Sequence, residues 1–400
     1  MNASGQRAVV LSGDANALSA ARTLSQAGVE VYGVGGEHSP VRYSRVVAGY
    51  AGLGTGEGWQ QRWLAWLLEV RLNAVLIPCG DDGLELLARN RSALEAHGYV
   101  LPEMDDDLAL ALLDKERTYD LARRAGIATP RTVDPTALSQ IEEAIEIIGL
   151  PCALKPRQTP SRMPVGYGGK AFVVSSAPEL AAMYSALTDR GVPVIVTEII
   201  QGSDEQLCQY WSYRRQNDEF VLELTKHKVR QHPPLFGTGC YQVIAWDEEV
   251  AEAGRHFASA LGLVGFSSVE FKRRASDGQL VLIECNYRLV DGNEAGRVAG
   301  VDAARVVHAS ALGQQVDRQA KPSDGVRFWH PVRDARAMWA YRQRGELTLR
   351  GWTHSLLHRQ VTPYFSWRDP WPSIMVGARA PARALDAAAQ AVTRARRGVA

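Results

Sequence analysis

The amino-acid sequence predicts an α/β domain followed by α+β domains. Strand-like and helix-like segments alternate over the first hundred residues, which is typical of a parallel sheet with helices on its faces. Residues 151–290 are rich in strands and hairpins instead, which favours antiparallel α+β structure. The chain has 400 residues. Because one hydrophobic core rarely grows that large, we expect two to three domains of roughly 150 residues each.

The opening segments predict a βαβ unit. Residues 7–13 form an apolar run that ends in a turn, residues 15–28 have helical spacing, and residues 29–35 are again strand-like. Later segments continue the alternation, with a helix at 59–70, a strand at 73–80 and a helix at 81–90. The first turn lacks the GxGxxG order of dinucleotide sites, so we expect no nicotinamide or flavin there.

Two further changes of pattern divide the rest of the chain. Helix-like sequence returns at residues 108–130 and is followed by longer strands, which places the first predicted domain boundary at residues 105–107. Another helix is predicted over residues 247–262. The last eighty residues are rich in tryptophan and arginine but poor in periodicity, which predicts a packed, irregular appendage.

Charge and cysteine usage exclude several classes of protein. The 45 Lys plus Arg and 44 Asp plus Glu residues give a net charge of +1, so no overall attraction to nucleic acid is expected. The five cysteines contain no CxxC pair and predict neither a disulfide framework nor a zinc site. Because we find no signal segment and no apolar run of about 18 residues, we expect a cytoplasmic protein without a membrane span.

The most informative pattern lies at residues 267–288. Asp277 and Gly278 mark a hairpin turn between two strands, and the resulting register places Glu270 opposite Glu284. The same register predicts apolar pairs on the other face of the hairpin, namely Phe271 with Ile283 and Val269 with Cys285.

Facing carboxylates repel each other unless a cation or a shared proton lies between them. Asn286 shares the face of Glu284, so that Glu270, Glu284 and Asn286 form a cluster of oxygen ligands. Such ligands favour Mg²⁺ and leave coordination positions for water and phosphate. The alternative interpretation is a solvated hairpin face that Lys272 and Arg288 neutralise.

Two lysines and a glycine loop suggest phosphate binding. Lys155 lies in the apolar strand ALKP, where an ammonium group needs an anionic partner, whereas Lys115 in its helix-rich segment could equally be at the surface. The loop at residues 165–172 could bring backbone N–H groups to phosphate oxygens, or it could be a simple turn. Its glycines of interest are Gly166, Gly168 and Gly169.

Two other segments are candidates for ligand contacts. The strand at residues 194–205 runs into a glycine turn with two acids, and could offer backbone groups to a planar base and a carboxylate to a ribose. Its alternative is a plain strand and polar loop. Lys228 and Arg230 share one face of a strand before a Pro- and Gly-rich loop, which favours binding of a γ-phosphate or substrate carboxylate over a solvated face.

These pieces follow one another in order: Lys115, Lys155, the glycine loop, Glu198, Glu270, and the E-x-N-x-R run of Glu284, Asn286 and Arg288. In this order and at these spacings, the sequence resembles the ATP-grasp ligases over about residues 5–315. The opening of the chain and residues 77–95 are more similar to the D-aspartate-ligase-like carboxylate–amine ligases than to the carboxylases.

The resemblance implies an ATP-grasp fold with four divisions. They are an N-terminal Rossmann-like domain at 1–106, a small ATP-grasp subdomain at 107–196, a large subdomain with the metal site at 197–316, and a C-terminal appendage at 317–400.

The resemblance also implies roles for single residues. Lys115 and Lys155 would hold the α- and β-phosphates of ATP, with the glycine loop above the triphosphate. The implied base and ribose contacts are Glu198, the backbone of Ile199 and Ile200, and Glu205, with Asp204 as the alternative ribose ligand. The implied metal ligands for Mg²⁺ or Mn²⁺ are Glu270, Glu284 and Asn286, and Arg288 would stabilise the transferred phosphoryl group.

The activity implied by the resemblance is ATP-dependent joining of a carboxylate to an amine through an acyl phosphate. An amino acid or a sugar acid would be a suitable substrate, and a homodimer is compatible with the resemblance. Two alternatives remain: a bicarbonate-using enzyme of the carboxylase type, and a nucleotide-binding regulatory protein without turnover. The intact Lys115, Lys155 and metal-ligand residues count against the regulatory protein.

Overall fold

The computed structural model describes residues 7–158 and 170–379, which form three β-sheets with flanking helices. Gly166, Gly168 and Gly169 lie outside the described residues. No described helix is both long and apolar enough to cross a membrane. Both predicted classes, parallel α/β and antiparallel α+β, are present.

The first sheet is parallel and has the strand order β3-β2-β1-β4. Its strands are β1 (Arg7–Leu11), β2 (Glu30–Gly35), β3 (Val47–Gly52) and β4 (Val75–Pro78). Its helices are α1 (Ala15–Gln26), α2 (Trp59–Val70) and α3 (Asp81–Ala96). The βαβ prediction is confirmed, but β3 was not predicted because its glycine and alanine residues give no apolar run. Since β1 and β4 are parallel neighbours, the starts of α1 and α3 lie at the same edge of the sheet.

Two helices and a second sheet follow. The predicted helical stretch contains α4 (Asp106–Leu112) and α5 (Lys115–Arg124). Asp114 lies between them and caps the second, because its carboxylate accepts from the backbone N–H groups of Glu116 and Arg117. The second sheet is antiparallel, in the order β5-β8-β6-β7. Its elements are β5 (Thr132–Val133), α6 (Ile141–Ile148), β6 (Cys152–Pro156), β7 (Phe172–Val174), α7 (Ala177–Thr188) and β8 (Val194–Glu198).

The third sheet has seven strands in the order β13-β12-β9-β10-β11-β14-β15. Its strands are β9 (Leu207–Arg214), β10 (Phe220–His232), β11 (Thr238–Ile244), β12 (Gly265–Arg273), β13 (Leu280–Asn286), β14 (Arg327–Trp329) and β15 (Gln360–Val361). The remaining helices are α8 (Glu248–Ala260), α9 (Asn293–Val298), α10 (Ala303–Ala311), α11 (Pro331–Gln343) and α12 (Leu349–Ser355). The C-terminal segment therefore adds two strands to this sheet. The bounds of the four predicted divisions stay a prediction.

The predicted hairpin register is right at the acidic residues and wrong one residue later. Glu270 pairs with Glu284, and Val269 pairs with Cys285. A β-bulge then follows Glu270, so that Phe271 pairs with Leu282 and not with Ile283. The bulge lets the apolar Phe271 and Leu282 be fully buried. It also leaves Ile283 to line a cleft beside the acidic pair.

Candidate active site

A cleft of about 450 Å³ lies where the three sheets approach one another. The edge of the first sheet contributes the starts of α1 and α3, the second sheet contributes β6 and the end of β8, and the third contributes β9 to β13. Ten of the predicted site residues line this cleft: Lys115, Lys155, Glu198, Ile199, Ile200, Lys228, Glu270, Glu284, Asn286 and Arg288. Arg230 and Glu205 do not. Residues far apart in the sequence thus meet as the predicted order requires.

Three lysines, of which two are buried and Lys115 is half-buried, make one part of the cleft strongly cationic. Lys155 lies on β6, 7% exposed, with its ammonium 5.1 Å from the centre of the Phe236 ring. Burial, reinforced by Lys115, lowers the pKa of Lys155 to about 8. Burial also lowers the pKa of Lys115 and of Lys272, which line the same cleft. A phosphate would give these ammonium groups the anionic partner that their burial demands.

The two facing carboxylates have different environments. Glu270 accepts a hydrogen bond at 2.8 Å from the Lys228 ammonium, and the Gln209 amide donates to its other oxygen. Burial by itself raises the pKa of Glu284, but Lys170 and Lys115 outweigh it and hold that pKa below its usual range. Glu284 is therefore an ionised carboxylate at neutral pH.

The predicted metal ligands suit a hard cation with a partly open coordination shell. Within residues 7–158 and 170–379, no group of three or more His, Cys, Asp or Glu side chains is arranged to hold a metal ion. The predicted set has only two carboxylates, Glu270 and Glu284, beside the Asn286 amide. Mg²⁺ commonly takes one or two protein carboxylates and fills its shell with phosphate oxygens and water, so this donor set fits it.

Arg288 connects the third sheet to the first. Its Nε donates to Asp81 at 2.6 Å, and its Nη1 donates to the Leu289 carbonyl at 3.2 Å. Asp81 is the first residue of α3, so this pair fixes the guanidinium at the edge where β1 and β4 end. The side chain of Arg288 is 15% exposed, and it lines the cleft. The sequence pattern did not predict the pairing with Asp81.

The predicted contacts for base and ribose are divided between two places. Ile199 and Ile200 follow β8 and line the cleft with Glu198, whose carboxylate accepts from the backbone N–H and the Nε of Arg131. Glu205 is exposed on a 3₁₀ turn outside the cleft lining. Its neighbour Asp204 is buried, where it accepts from the Leu235 N–H and the Tyr341 hydroxyl. The structure therefore brings neither candidate ribose acid into the cleft.

The structure corrects the prediction that Arg230 and Lys228 present one anion-binding face. β10 is irregular between the two residues, and Lys228 lines the cleft, whereas Arg230 is buried away from it. The Arg230 guanidinium forms a two-pronged ion pair with Asp334, at 2.7 and 3.0 Å, and stacks 4.4 Å from the centre of the Tyr241 ring. Arg230 therefore anchors α11 to the third sheet.

We expect Asp334→Ala to lower the free energy of unfolding by about 3 kcal/mol, because it leaves the buried Arg230 charge without a partner. Both side chains are almost fully buried. Urea denaturation measures the change. The matched control is Glu346→Ala, which removes the exposed partner of Arg344 and should cost less than about 1 kcal/mol. Equal losses in the two variants would contradict the assigned role of Arg230.

Several cleft residues were not predicted as site residues. Lys226 and Gln209 line the cleft on β10 and β9, and Arg333 reaches it from α11. Lys226 could have been found, because it lies two residues before Lys228 on the same strand and so shares its face. Arg333 gave no signal, because α11 is held at the third sheet by the pairing of Arg230 with Asp334, which are 104 residues apart in the sequence.

Comparison with known proteins finds a partial sequence similarity and a shared fold. No family model matches the chain. The large chain of carbamoyl phosphate synthase from Methanoregula boonei is 27% identical over 213 residues, which cover 51% of this chain. The match spans only 19% of that longer protein, so its overall activity does not carry over directly.

Two solved structures have a similar fold. The biotin carboxylase domain of the Hydrogenobacter thermophilus 2-oxoglutarate carboxylase, a dimer in complex with MgADP, ADP and bicarbonate, has a TM-score of 0.62 at 14% identity. That match covers 78% of this chain and 70% of the domain. The L-amino acid ligase from Bacillus licheniformis has a TM-score of 0.59 at 15% identity, over 79% of this chain and 75% of the ligase. At such identities the likeness concerns the fold.

Proposed function

The chain has the ATP-grasp fold, and we propose that it is a ligase that activates a carboxylate with ATP and joins it to an amine. The observation that carries the proposal is the meeting of buried lysines, facing carboxylates and Arg288 in one cleft. Lys155 comes from the second sheet, Lys115 from α5, and the carboxylates and Arg288 from the third sheet and the residues that follow it. A protein that only folds around them would gain nothing from burying the ammonium group of Lys155, which forms no ion pair within residues 7–158 and 170–379.

The lysines and β8 divide the work of binding ATP. Lys115 and Lys155 are suited to the α- and β-phosphates, because Lys155 is buried on β6 and Lys115, half-buried at the start of α5, lines the same cleft. The chain at Ile199 and Ile200 would receive the adenine, and Arg131 holds the Glu198 carboxylate beside it. Since neither Asp204 nor Glu205 reaches the cleft, we do not assign the ribose contact to them.

Glu270, Glu284 and Asn286 would hold Mg²⁺. The ion, when bound, would neutralise charge on the β- and γ-phosphates. For Glu270 to bind it, the contact with Lys228 would have to loosen, which would turn that ammonium toward the transferred phosphoryl group or the substrate carboxylate.

The proposed reaction has two steps. A carboxylate oxygen of the substrate attacks the γ-phosphorus, and the bond to the β–γ bridging oxygen breaks, giving an acyl phosphate and ADP. The amine nitrogen then attacks the acyl carbon, phosphate leaves, and the nitrogen loses a proton. The chain needs no nucleophilic side chain for this. Lys228 and Arg288 would lower the barrier by stabilising charge on the transferred group and by orienting the carboxylate.

Trapping the activated carboxylate tests this proposal. The protein is incubated with MgATP, hydroxylamine and single carboxylates, and ADP and hydroxamate are measured together with product mass. Carboxylate-dependent ADP release with an equal amount of hydroxamate is the expected result. ADP release that requires bicarbonate alone would favour the carboxylase alternative. ATP binding without turnover on any carboxylate would favour the regulatory one.

We expect Lys155→Ala to weaken MgATP binding by about tenfold to a hundredfold, the effect of losing a hydrogen bond between charged groups. Calorimetric titration measures it, with the exposed Lys321→Ala as the control. In the wild type, affinity should also fall as pH rises past about 8, because the Lys155 ammonium then loses its proton. Unchanged affinity in the variant would make Lys155 a structural residue.

A further inference from the structure

Lys226 is a buried cation that the reaction scheme above does not use. It is 4% exposed on β10, and it lines the cleft. Its ammonium donates to the backbone carbonyl of Asp291 at 3.1 Å and lies 4.5 Å from the centre of the Trp211 ring. Among the described residues, no carboxylate lies within ion-pair distance of it. A carbonyl and a ring leave this charge only partly compensated.

Lys226 lies in a different part of the cleft from the predicted phosphate lysines. Glu270 acts on both lysines, but the other charged groups differ: Asp291 and Lys228 act on Lys226, whereas Lys115, Glu284 and Lys272 act on Lys155. Cross-strand pairing gives the same separation, because Lys226 pairs with Gln209, Gln209 with Glu270, and Glu270 with Glu284. Lys226 is therefore three strands away from Glu284, about 14 Å along the sheet.

A second cation reaches this end of the cleft from the C-terminal segment. Arg333 is on α11, and its Nη1 is 4.0 Å from the Asp291 carboxylate, a loose contact. The same Nη1 is buried and donates no hydrogen bond to a described residue. Lys226 and Arg333 thus both approach Asp291, one at its backbone carbonyl and the other near its carboxylate.

The position of Arg333 is fixed by its neighbour. Asp334 is fully buried and accepts hydrogen bonds from Arg230 on β10 and from the indole N–H groups of Trp329 and Trp352. α11 therefore cannot shift without breaking buried hydrogen bonds. Such support is what a preorganised binding group requires. Space beside Lys226 is kept by Gly292, where an added Cβ would lie 3.1 Å from its ammonium.

We propose that Lys226 and Arg333 form a second anion subsite, which binds an anionic group that a substrate carries in addition to the reacting carboxylate. The proposal rests on the ligase function above and adds the substrate class to it. The extra anion could belong to the acid, as in a dicarboxylate, or to the amine, as in an amine that also bears a carboxylate. Both sources share one chemistry, a carboxylate that accepts from an ammonium and a guanidinium.

Protonation gives a readout that a structural lysine would not show. Burial lowers the pKa of Lys226 to about 7. Asp291 and Glu270 oppose this shift, whereas Lys228 adds to it. Anion binding should therefore weaken as pH rises above about 7, where the ammonium loses its proton. Lys226→Arg keeps its charge at every such pH, so it should retain binding and lose this pH dependence.

Matched pairs of probes test the subsite. For the acid, glutarate is compared with butyrate, using hydroxylamine as the amine; for the amine, β-alanine is compared with ethylamine. Calorimetric binding of each probe to the MgADP-loaded protein is measured beside KM. In Lys226→Met and in Arg333→Met, we expect the Kd and KM of glutarate or β-alanine to rise about tenfold or more. The same constants for butyrate, ethylamine and ATP should stay within about twofold of the wild-type values.

The controls separate the subsite from folding and from the ligase function. Lys321→Met removes another lysine that lies over a tryptophan ring, Trp246, but at the surface, and it should change nothing. If Lys226→Met unfolds, Lys226→Arg and Arg333→Met carry the test. The subsite would be overturned if the wild-type protein bound both probes of each pair with equal affinity. It would also be overturned if the variants lost the same affinity for both probes of each pair. Selective binding without any carboxylate-dependent ADP release would retain the subsite and reject the ligase.

Discussion

Glu284→Gln should abolish ATP turnover, with a loss of about a hundredfold or more, while the protein remains folded. Glu284 faces Glu270 across β12 and β13, and both carboxylates line the cleft. Glutamine keeps the size of the side chain but removes the negative charge that a divalent cation requires. The effect should therefore fall on the chemistry and not on packing.

ADP release at saturating Mg²⁺ measures this effect, and thermal denaturation checks the fold. Lys170 and Lys115 favour the ionised form of Glu284 in the folded protein, so the variant should also be slightly less stable at neutral pH. That difference should disappear as the pH falls through the depressed pKa of Glu284. Glu95→Gln changes a half-exposed carboxylate on α3, outside the cleft, and serves as the control. Turnover like that of the wild type in Glu284→Gln would remove the metal assignment.

The acidic pair could be predicted because its geometry depends only on local sequence. A hairpin with Asp277 and Gly278 in its turn fixes the partner of Glu270 once the turn is located. The bulge after Glu270 could not be predicted in this way. Alternation would have paired Phe271 with Ile283, whereas the fold buries Phe271 against Leu282 and moves Ile283 to the cleft. The pairing partner of Phe271 is therefore set by packing between layers of the fold, which the alternation of residues in the sequence does not show.

Long-range ion pairs account for most of the differences at the site. Arg230 and Lys228 look equivalent in the sequence, but only Arg230 meets Asp334, 104 residues later, and this contact takes it out of the cleft. Arg288 meets Asp81, 207 residues earlier. Ion pairs between residues so far apart produce no periodic pattern in the sequence. The sequence therefore indicates which charged residues need partners but not which partner each one finds.

The pairing with Asp81 also sharpens the prediction for Arg288. A guanidinium that donates one N–H group to a carboxylate still has further N–H groups for a second anion. The ammonium group of a lysine lacks this fixed planar arrangement of donors, so it is less able to bind both anions at once. Arg288 is therefore placed to bind Asp81 and a transferred phosphoryl oxygen at once. Asp81 would act as a positioning residue, because it holds the guanidinium toward the cleft.

Arg288→Lys should lower kcat by about a hundredfold and ATP affinity by less than about threefold, because the lost contact belongs to charge that develops during transfer. Coupled ADP release and calorimetric titration of MgATP measure the two effects, with Arg344→Lys, in an exposed pair with Glu346, as the control. Asp81→Asn should give a smaller loss of kcat in the same direction, since the guanidinium remains but is less firmly held. Equal losses in rate and affinity would make Arg288 a residue for nucleotide binding. No loss in either would leave it as a bridge between the first and third sheets.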